Sequence, residues 1–178
     1  MGNIEDMMSA KEQGADATQN RWLTIPRTLC FVTNGDDVLL MKRAPTRRVF
    51  PNRYNGVGGH IERDETPEAG AIREIIEETG LSIDEIRLCG IHNIDAGADT
   101  GILLFVFVAH TTQRDFVSDE KEGTLHWIRK DEVISLDLVE DLPQILPYVL
   151  AMSAQSPPYF AHVSYDDQDK IQIRLSQP

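Results

Sequence analysis

Gly59-His60-Ile61-Glu62-Arg63-Asp64-Glu65-Thr66-Pro67-Glu68-Ala69-Gly70-Ala71-Ile72-Arg73-Glu74-Ile75-Ile76-Glu77-Glu78-Thr79-Gly80-Leu81 is the stretch on which the fold turns. Thr66 suits a helix N-cap, Pro67 the first helical position, and Gly80 the left-handed residue that ends a helix. The spacing therefore predicts one strong helix over Thr66 to Thr79. On it Glu74, Glu77 and Glu78 stand at i, i+3 and i+4, which puts three carboxylates on one face within a turn. Ala69, Ile72, Ile75 and Ile76 are assigned to the opposing side. Like charges at this spacing cost roughly a few tenths of a kcal/mol per pair, and Arg73 alone cannot neutralise all three. A hard divalent ion can, because Mg²⁺ takes one or two carboxylates together with phosphates and waters. A solvated acidic face is the ordinary reading of paired glutamates on a helix. Here seven set letters, at roughly one in fifteen each, would coincide about once in 10⁸ positions.

Working outward, Thr28 to Thr33 reads as a strand, Asn34-Gly35-Asp36-Asp37 as a turn, and Val38 to Met41 as the returning strand. Asn55 to Ile61 is too glycine-rich for an ordinary strand interior. Glu85 to Asn93, Ile102 to Ala109 and Leu125 to Ile128 read as further strands. Asp141 to Ser153 reads as a second helix carrying Ile145, Leu146, Val149 and Leu150 on its apolar face, with Pro147 inside it. Tyr159 to Tyr165 and Ile171 to Leu175 read as a hairpin. Strands outnumber helices without a regular βαβ alternation, which predicts an α+β fold with a mixed sheet. The expected organisation is a flexible N-terminal arm over 1–22, one domain over 23–155, and a C-terminal β-hairpin extension over 156–178 packed on that domain.

The chain has 178 residues, with 17 Lys and Arg against 29 Asp and Glu, a net charge of −12. A surface this acidic repels nucleic acid, so none is expected as a partner, and a phosphate compound would come with a metal ion. No apolar run approaches the roughly 18 to 20 residues of a membrane span, and the start lacks the pattern of a secretory signal. Two cysteines, Cys30 and Cys89, make no disulfide framework, so a reducing cytoplasm is the expected location.

The pattern G-x(5)-E-x(7)-R-E-U-x-E-E-x-G-U, with U a bulky aliphatic, runs from Gly59 to Leu81 and is matched at every specified position. It resembles the signature of the Nudix hydrolases, and the resemblance covers about residues 25–153. It implies an α/β/α sandwich, in which helices flank a central mixed sheet. It also implies hydrolysis of a nucleoside diphosphate linked to another group, with Mg²⁺, or Mn²⁺ in its place, as cofactor. By the family's pattern Glu74, Glu77 and Glu78 would ligate metal, with the Gly59 carbonyl as a further ligand. Arg73 would orient the carboxylates, and Glu65 would support the loop by pairing with Arg73. The residue after the second glycine is commonly basic in relatives. Here it is His60, only partly charged near neutral pH and left between a phosphate contact and loop packing.

Lys42 to Arg53 holds five basic residues and no acid. It reads either as a solvated loop or as a phosphate clamp built on bidentate guanidinium contacts. The resemblance to MutT-type members that act on oxidised nucleotides points first to Arg43 and then to Lys42. Tyr54-Asn55-Gly56-Val57-Gly58-Gly59 is similar to a segment of the oxidised-purine triphosphatases in which the Asn reads the purine edge, a role that Asn55 inherits. The acidic segment Ser118 to Gly123 resembles the loop that supplies an extra metal ligand or the general base, with Glu120 and Glu122 equally placed. Asp141 is either the residue that hydrogen-bonds the base or only a helix cap. Relatives often have Trp where Val139 stands, which leaves base stacking weaker or to Phe31 or Phe50. Together these imply a nucleoside triphosphate, with an oxidised purine such as 8-oxo-dGTP preferred, cleaved to monophosphate and pyrophosphate. ADP-ribose, a nucleotide sugar or a dinucleoside polyphosphate is the alternative substrate, and a non-catalytic ligand-sensing domain the remaining one. The small-molecule nucleotide is the expected partner, and the protein a monomer or homodimer.

Overall fold

The computed structural model describes residues 14, 18–118 and 121–176; most of the expected arm, 1–22, lies outside them. Strand β1 (Leu23–Asn34) turns through Gly35 and Asp36 into β2 (Asp37–Arg43). The two-residue β3 (Tyr54–Asn55) follows, then helix α1 (Pro67–Thr79), β4 (Glu85–Ile94), β5 (Thr100–His110) and β6 (Gly123–Arg129). Helix α2 (Leu142–Ala151) and the hairpin β7 (Tyr159–Tyr165) and β8 (Ile171–Leu175) complete the chain.

The eight strands form one mixed sheet in the order β3-β2-β1-β5-β4-β7-β8, with β6 also laid along β2. β1 runs parallel to β5 from Leu23↔Thr100 to Thr33↔His110, and β4 parallel to β7 from Gly90↔Tyr159. The remaining pairs are antiparallel. Central strands are apolar on both sides because both faces are covered. Leu29, Phe31, Val38, Leu40 and Val106 point to the α2 side, where they meet Leu142, Ile145, Leu146 and Val149. Cys30, Val32, Leu39, Met41 and Phe107 point the other way, onto Ala71 and Ile75 of α1. A helix on each face of a mixed sheet is the α/β/α arrangement.

Helix α1 begins and ends on the residues its caps require. Thr66 Oγ1 accepts from the Ala69 N–H, and Gly80 takes the left-handed conformation at φ 70° while its N–H donates to the Ile76 carbonyl. Its buried face differs from the expected one. Gly70, Ala71, Ile75 and Thr79 are buried, whereas Ala69 is exposed and Ile76 is 50% exposed. At 100° per residue, a stripe centred on Ala71 and Ile75 passes Glu78 and Glu74 on one flank and leaves Ile76 on the outer one. Burial of this helix therefore draws two of the acids inward. No helix among the described residues is long and apolar enough to cross a membrane.

Candidate active site

The site is the seam between α1 and the loop that runs from β3 into it. Two backbone pairs lace that loop to β1: Cys30 and Val57 exchange N–H and carbonyl at 2.7 and 3.1 Å, and Thr28 N–H donates to Gly59 O at 2.8 Å. Thr28 Oγ1 also accepts from the Gly59 N–H at 3.3 Å. The close approach excludes side chains. A Cβ on Gly58, at φ 138°, would lie 2.4 Å from the Thr28 carbonyl oxygen, and one on Gly59 would lie 2.5 Å from a Glu74 carboxylate oxygen. The glycines thus let the Glu74 carboxylate rest against the loop backbone.

Arg73 gathers the acids around it. Its Nη2 and Nε donate to the two Glu65 oxygens at 2.8 and 3.1 Å, in the bidentate geometry of guanidinium and carboxylate. Its Nη1 reaches Glu74 Oε1 at 2.9 Å and Glu77 Oε2 at 3.0 Å, and Nη2 also donates to the His60 carbonyl at 3.0 Å. Hydrogen bonds from Arg73, and then from the Glu62 backbone, hold the Glu65 carboxyl below its usual range. Those same acids, Glu65 first and Glu74 next, raise the guanidinium above its own. One arginine thus serves two of the three helix acids, more than charge counting along the sequence expects.

Glu78 is the acid Arg73 does not reach. The Gly58 N–H donates to its Oε2 at 2.9 Å. Burial, reinforced by the negative charges of Glu74 and Glu122, pushes its carboxyl up to about 7 against the pull of that N–H and of Arg43. The Glu74 side chain is 15% exposed and Glu77 59% exposed, so the three acids grade from enclosed to free. As the carboxylates stand, turned to Arg73 and Gly58, no three His, Cys, Asp or Glu side chains among the described residues surround one point. The donor set is still that of a hard divalent cation: carboxylate oxygens beside a carbonyl, Gly59 O, which keeps a second lone pair. Glu77 is held only by an exposed ion pair with Arg73, and Glu78 holds its proton tightly because its charge is buried among like charges. Residues and surroundings therefore fit a cation of the Mg²⁺ class.

Facing this cluster is the basic loop after β2. Arg43 donates from Nε to the Val49 carbonyl at 2.9 Å, and its backbone pairs with Arg53 and Asn52. Burial and then the neighbouring Arg47 push its guanidinium below its ordinary value, while its own charge favours ionised Glu78. Arg47 Nη1 pairs with Glu122 Oε1 at 2.9 Å. The charge of Glu122 also reaches Glu78, whereas Glu120 lies outside the described residues. Lys42 is exposed, with Nζ 5.7 Å from the Tyr54 ring centroid, on the rim of a depression lined by Arg43, Ala44, Asn52 and Thr124.

Asn55 closes a local turn, its Oδ1 accepting the Gly56 N–H at 2.9 Å. The His60 side chain is exposed; only its carbonyl takes part in the Arg73 network. Asp141 stands at the N-cap position of α2 without a side-chain cap bond. Burial pushes its carboxyl up. Of the two stacking candidates, Phe31 is fully buried in the core and has no face to offer, while half-buried Phe50 lies under the Arg53 guanidinium at 5.9 Å. Three participants escape sequence reading: Thr28, the Gly58 N–H and Arg47. Each acts on a partner 20 to 75 residues away, and no local periodicity marks such pairs.

Residues 23–149 match the family model described as the NUDIX domain. The chain is 32% identical over 149 residues to the oxidized purine nucleoside triphosphate hydrolase of Mus musculus, spanning 81% of this chain and 88% of that protein. It is 30% identical over 118 residues to the NAD-capped RNA hydrolase NudC of Pseudomonas aeruginosa, 66% of this chain and 38% of that one. The crystal structure of the mutator MutT protein from Bacillus halodurans superposes with a TM-score of 0.72 at 28% identity, covering 86% of this chain and 99% of that chain. A NUDIX hydrolase from Nitrosomonas europaea shares the fold with a TM-score of 0.67 at 20% identity, over 82% and 81% of the two chains.

Proposed function

The chain belongs to the Nudix family and is a hydrolase of nucleotide-derived substrates, and on that premise we propose that it cleaves a nucleoside triphosphate, an oxidised purine such as 8-oxo-dGTP first, to monophosphate and pyrophosphate. The observation that carries the reading is the enclosed acid Glu78, raised to about 7 beside Glu74 and faced by Arg43. Such a pocket favours a cation and a polyphosphate together over either alone. The mouse relative's activity on oxidized purine nucleoside triphosphates supports the choice of substrate.

Glu74, Glu77, Glu78 and the Gly59 carbonyl would hold Mg²⁺, or Mn²⁺ in its place; the bound ion supplies charge neutralisation at phosphoryl oxygens and acidifies water. Arg73 keeps Glu74 aligned and holds Glu77 until the ion draws it away, while Glu65 holds Arg73. Arg43, pinned by Val49, offers its outward guanidinium nitrogens to the phosphate chain, and Lys42 adds a mobile charge at the rim. Glu122 accepts the proton of the attacking water. One water is consumed, the α–β phosphoanhydride bond breaks, and pyrophosphate leaves. Asn55 and Asp141 present polar atoms to the purine edge, and half-buried Phe50 is the aromatic surface left for stacking. His60 has no bond that fixes its ring, so its contribution is limited to a weak phosphate contact.

The test is a panel of 8-oxo-dGTP, dGTP, ADP-ribose, a nucleotide sugar and a dinucleoside polyphosphate, assayed with Mg²⁺ for pyrophosphate and orthophosphate separately. The reading expects pyrophosphate from 8-oxo-dGTP at the highest kcat/KM. Preference for ADP-ribose would overturn the substrate, and binding without metal-dependent turnover would overturn the enzyme.

A further inference from the structure

Arg43 and Arg47 sit four residues apart on one loop, yet they are held very differently. Arg43 is half-buried, its Nε tied to Val49 and both backbone groups tied to the returning chain. Arg47 ends the turn that starts at Ala44, its N–H donating to the Ala44 carbonyl at 3.1 Å. Among the described residues its side chain makes one ion pair, with Glu122, in which both partners are about 40% exposed. The Ala44 N–H donates to the Glu122 carbonyl at 3.0 Å, so loop and acid are fastened side by side. The two guanidiniums repel each other, which contributes to Arg43's lowered proton affinity, and the Glu122 charge reaches Glu78.

Arg47 thus pairs weakly with an acid of the site while standing beside a second guanidinium that repels it. We propose that Arg47 is a positioning residue that exchanges partners: it masks Glu122 in the free protein and moves to the incoming polyphosphate, which releases Glu122 to the acid cluster. An anion between Arg43 and Arg47 relieves their repulsion, and the half-exposed pair is weak enough to be displaced. Releasing Glu122 adds negative charge beside Glu78 and so strengthens the call for a cation at the moment the nucleotide arrives. Metal and nucleotide binding become linked through this one side chain, each strengthening the other. The proposal rests on Glu122 serving the site as described above.

Mn²⁺ titrations by water-proton relaxation, without nucleotide, test the mask directly. Arg47→Ala is expected to bind Mn²⁺ about two- to fivefold tighter than wild type, the strength of a half-exposed ion pair, while Arg47→Lys stays near wild type. The same Arg47→Ala protein is expected to bind a non-hydrolysable nucleoside triphosphate analogue about tenfold more weakly. Unchanged or weaker Mn²⁺ binding in Arg47→Ala overturns the exchange, even with nucleotide binding impaired. Should Arg47→Ala fail to fold, Glu122→Gln decides: in chelator it is expected to bind the analogue about two- to fivefold tighter, because Arg47 no longer has a rival. Equal or weaker binding there overturns the proposal. The Mn²⁺ arm needs no substrate, so absence of turnover across the nucleotide panel would refute the substrate and leave this result standing.

Discussion

Replacing Glu78 by Gln removes a titrating charge while keeping an oxygen to accept the Gly58 N–H. In metal-free protein the folded carboxyl titrates near 7 against an ordinary 4.5, a difference of 7 − 4.5 = 2.5. Because the folded state holds its proton more tightly than the unfolded chain, the cost of Glu78 is absent below pH 4.5 and grows as pH rises through 7. At about 1.4 kcal/mol per unit the full penalty is on the order of 3 kcal/mol. The part due to Glu74 and Glu122 is screened by water and salt, which reduces it to about 2 kcal/mol. For a chain of this size, 1 kcal/mol moves Tm by roughly 2–4 °C, so at pH 8.5 in chelator Glu78→Gln should melt about 4–8 °C above wild type. At pH 4.5 the two should coincide. His92 titrates in the opposite sense, lowered from 6.5 to about 4 by burial. Its neutral form is favoured in the fold, so it withdraws stability as pH falls from 6.5 towards 4, and comparing the two proteins cancels it. Melting followed by circular dichroism from pH 4.5 to 8.5 suffices. Equal Tm values at pH 8.5 would refute the claim that Glu78 is held as a buried, unneutralised charge.

The same Glu78→Gln protein should lose turnover by about 10² or more with Mg²⁺ despite its higher stability, a split that pyrophosphate release and melting read together. Arg73→Lys should behave like Arg73→Ala in kcat, falling about tenfold or more, because an ammonium cannot serve Glu65, Glu74, Glu77 and the His60 carbonyl at once; near-wild-type kcat in the lysine variant would refute the orienting role. Gly58→Ala forces a side chain to φ 138° and against the Thr28 carbonyl, so urea unfolding should show a loss of about 2–4 kcal/mol. Glu122→Gln should lower kcat about tenfold or more, because Glu122 is an acid whose charge reaches Glu78, and a wild-type kcat would refute its role as base.

The fold was legible where one element's pattern is self-contained. Thr66, Pro67 and Gly80 mark both ends of α1 because caps are local chemistry. The doubly apolar runs of β1 and β5 mark central strands because helices cover both faces. The buried face of α1 was misjudged for a physical reason. Ala71 and Ile75 seat in the core, which carries Glu78 and Glu74 inward on one flank and leaves Ile76 exposed where hydrophobicity alone would do the reverse. Identity of the acids was therefore readable, and their unequal enclosure was not. Phe31 looked available for stacking only because nothing in its own strand reveals that α2 closes over it. The Arg47–Glu122 pair spans 75 residues, and His92 meets Tyr159 across 67 at 2.7 Å. Such contacts are set by strand order, which no spacing in the chain encodes.

Anomalous diffraction from crystals soaked in Mn²⁺ bears most directly on the proposal that this helix holds a cation. A peak within coordinating distance of Glu78 and the Gly59 carbonyl, with Glu77 turned away from Arg73 to meet it, is the expected result. Peaks confined to other carboxylates, with Glu77 still bonded to Arg73, would contradict it.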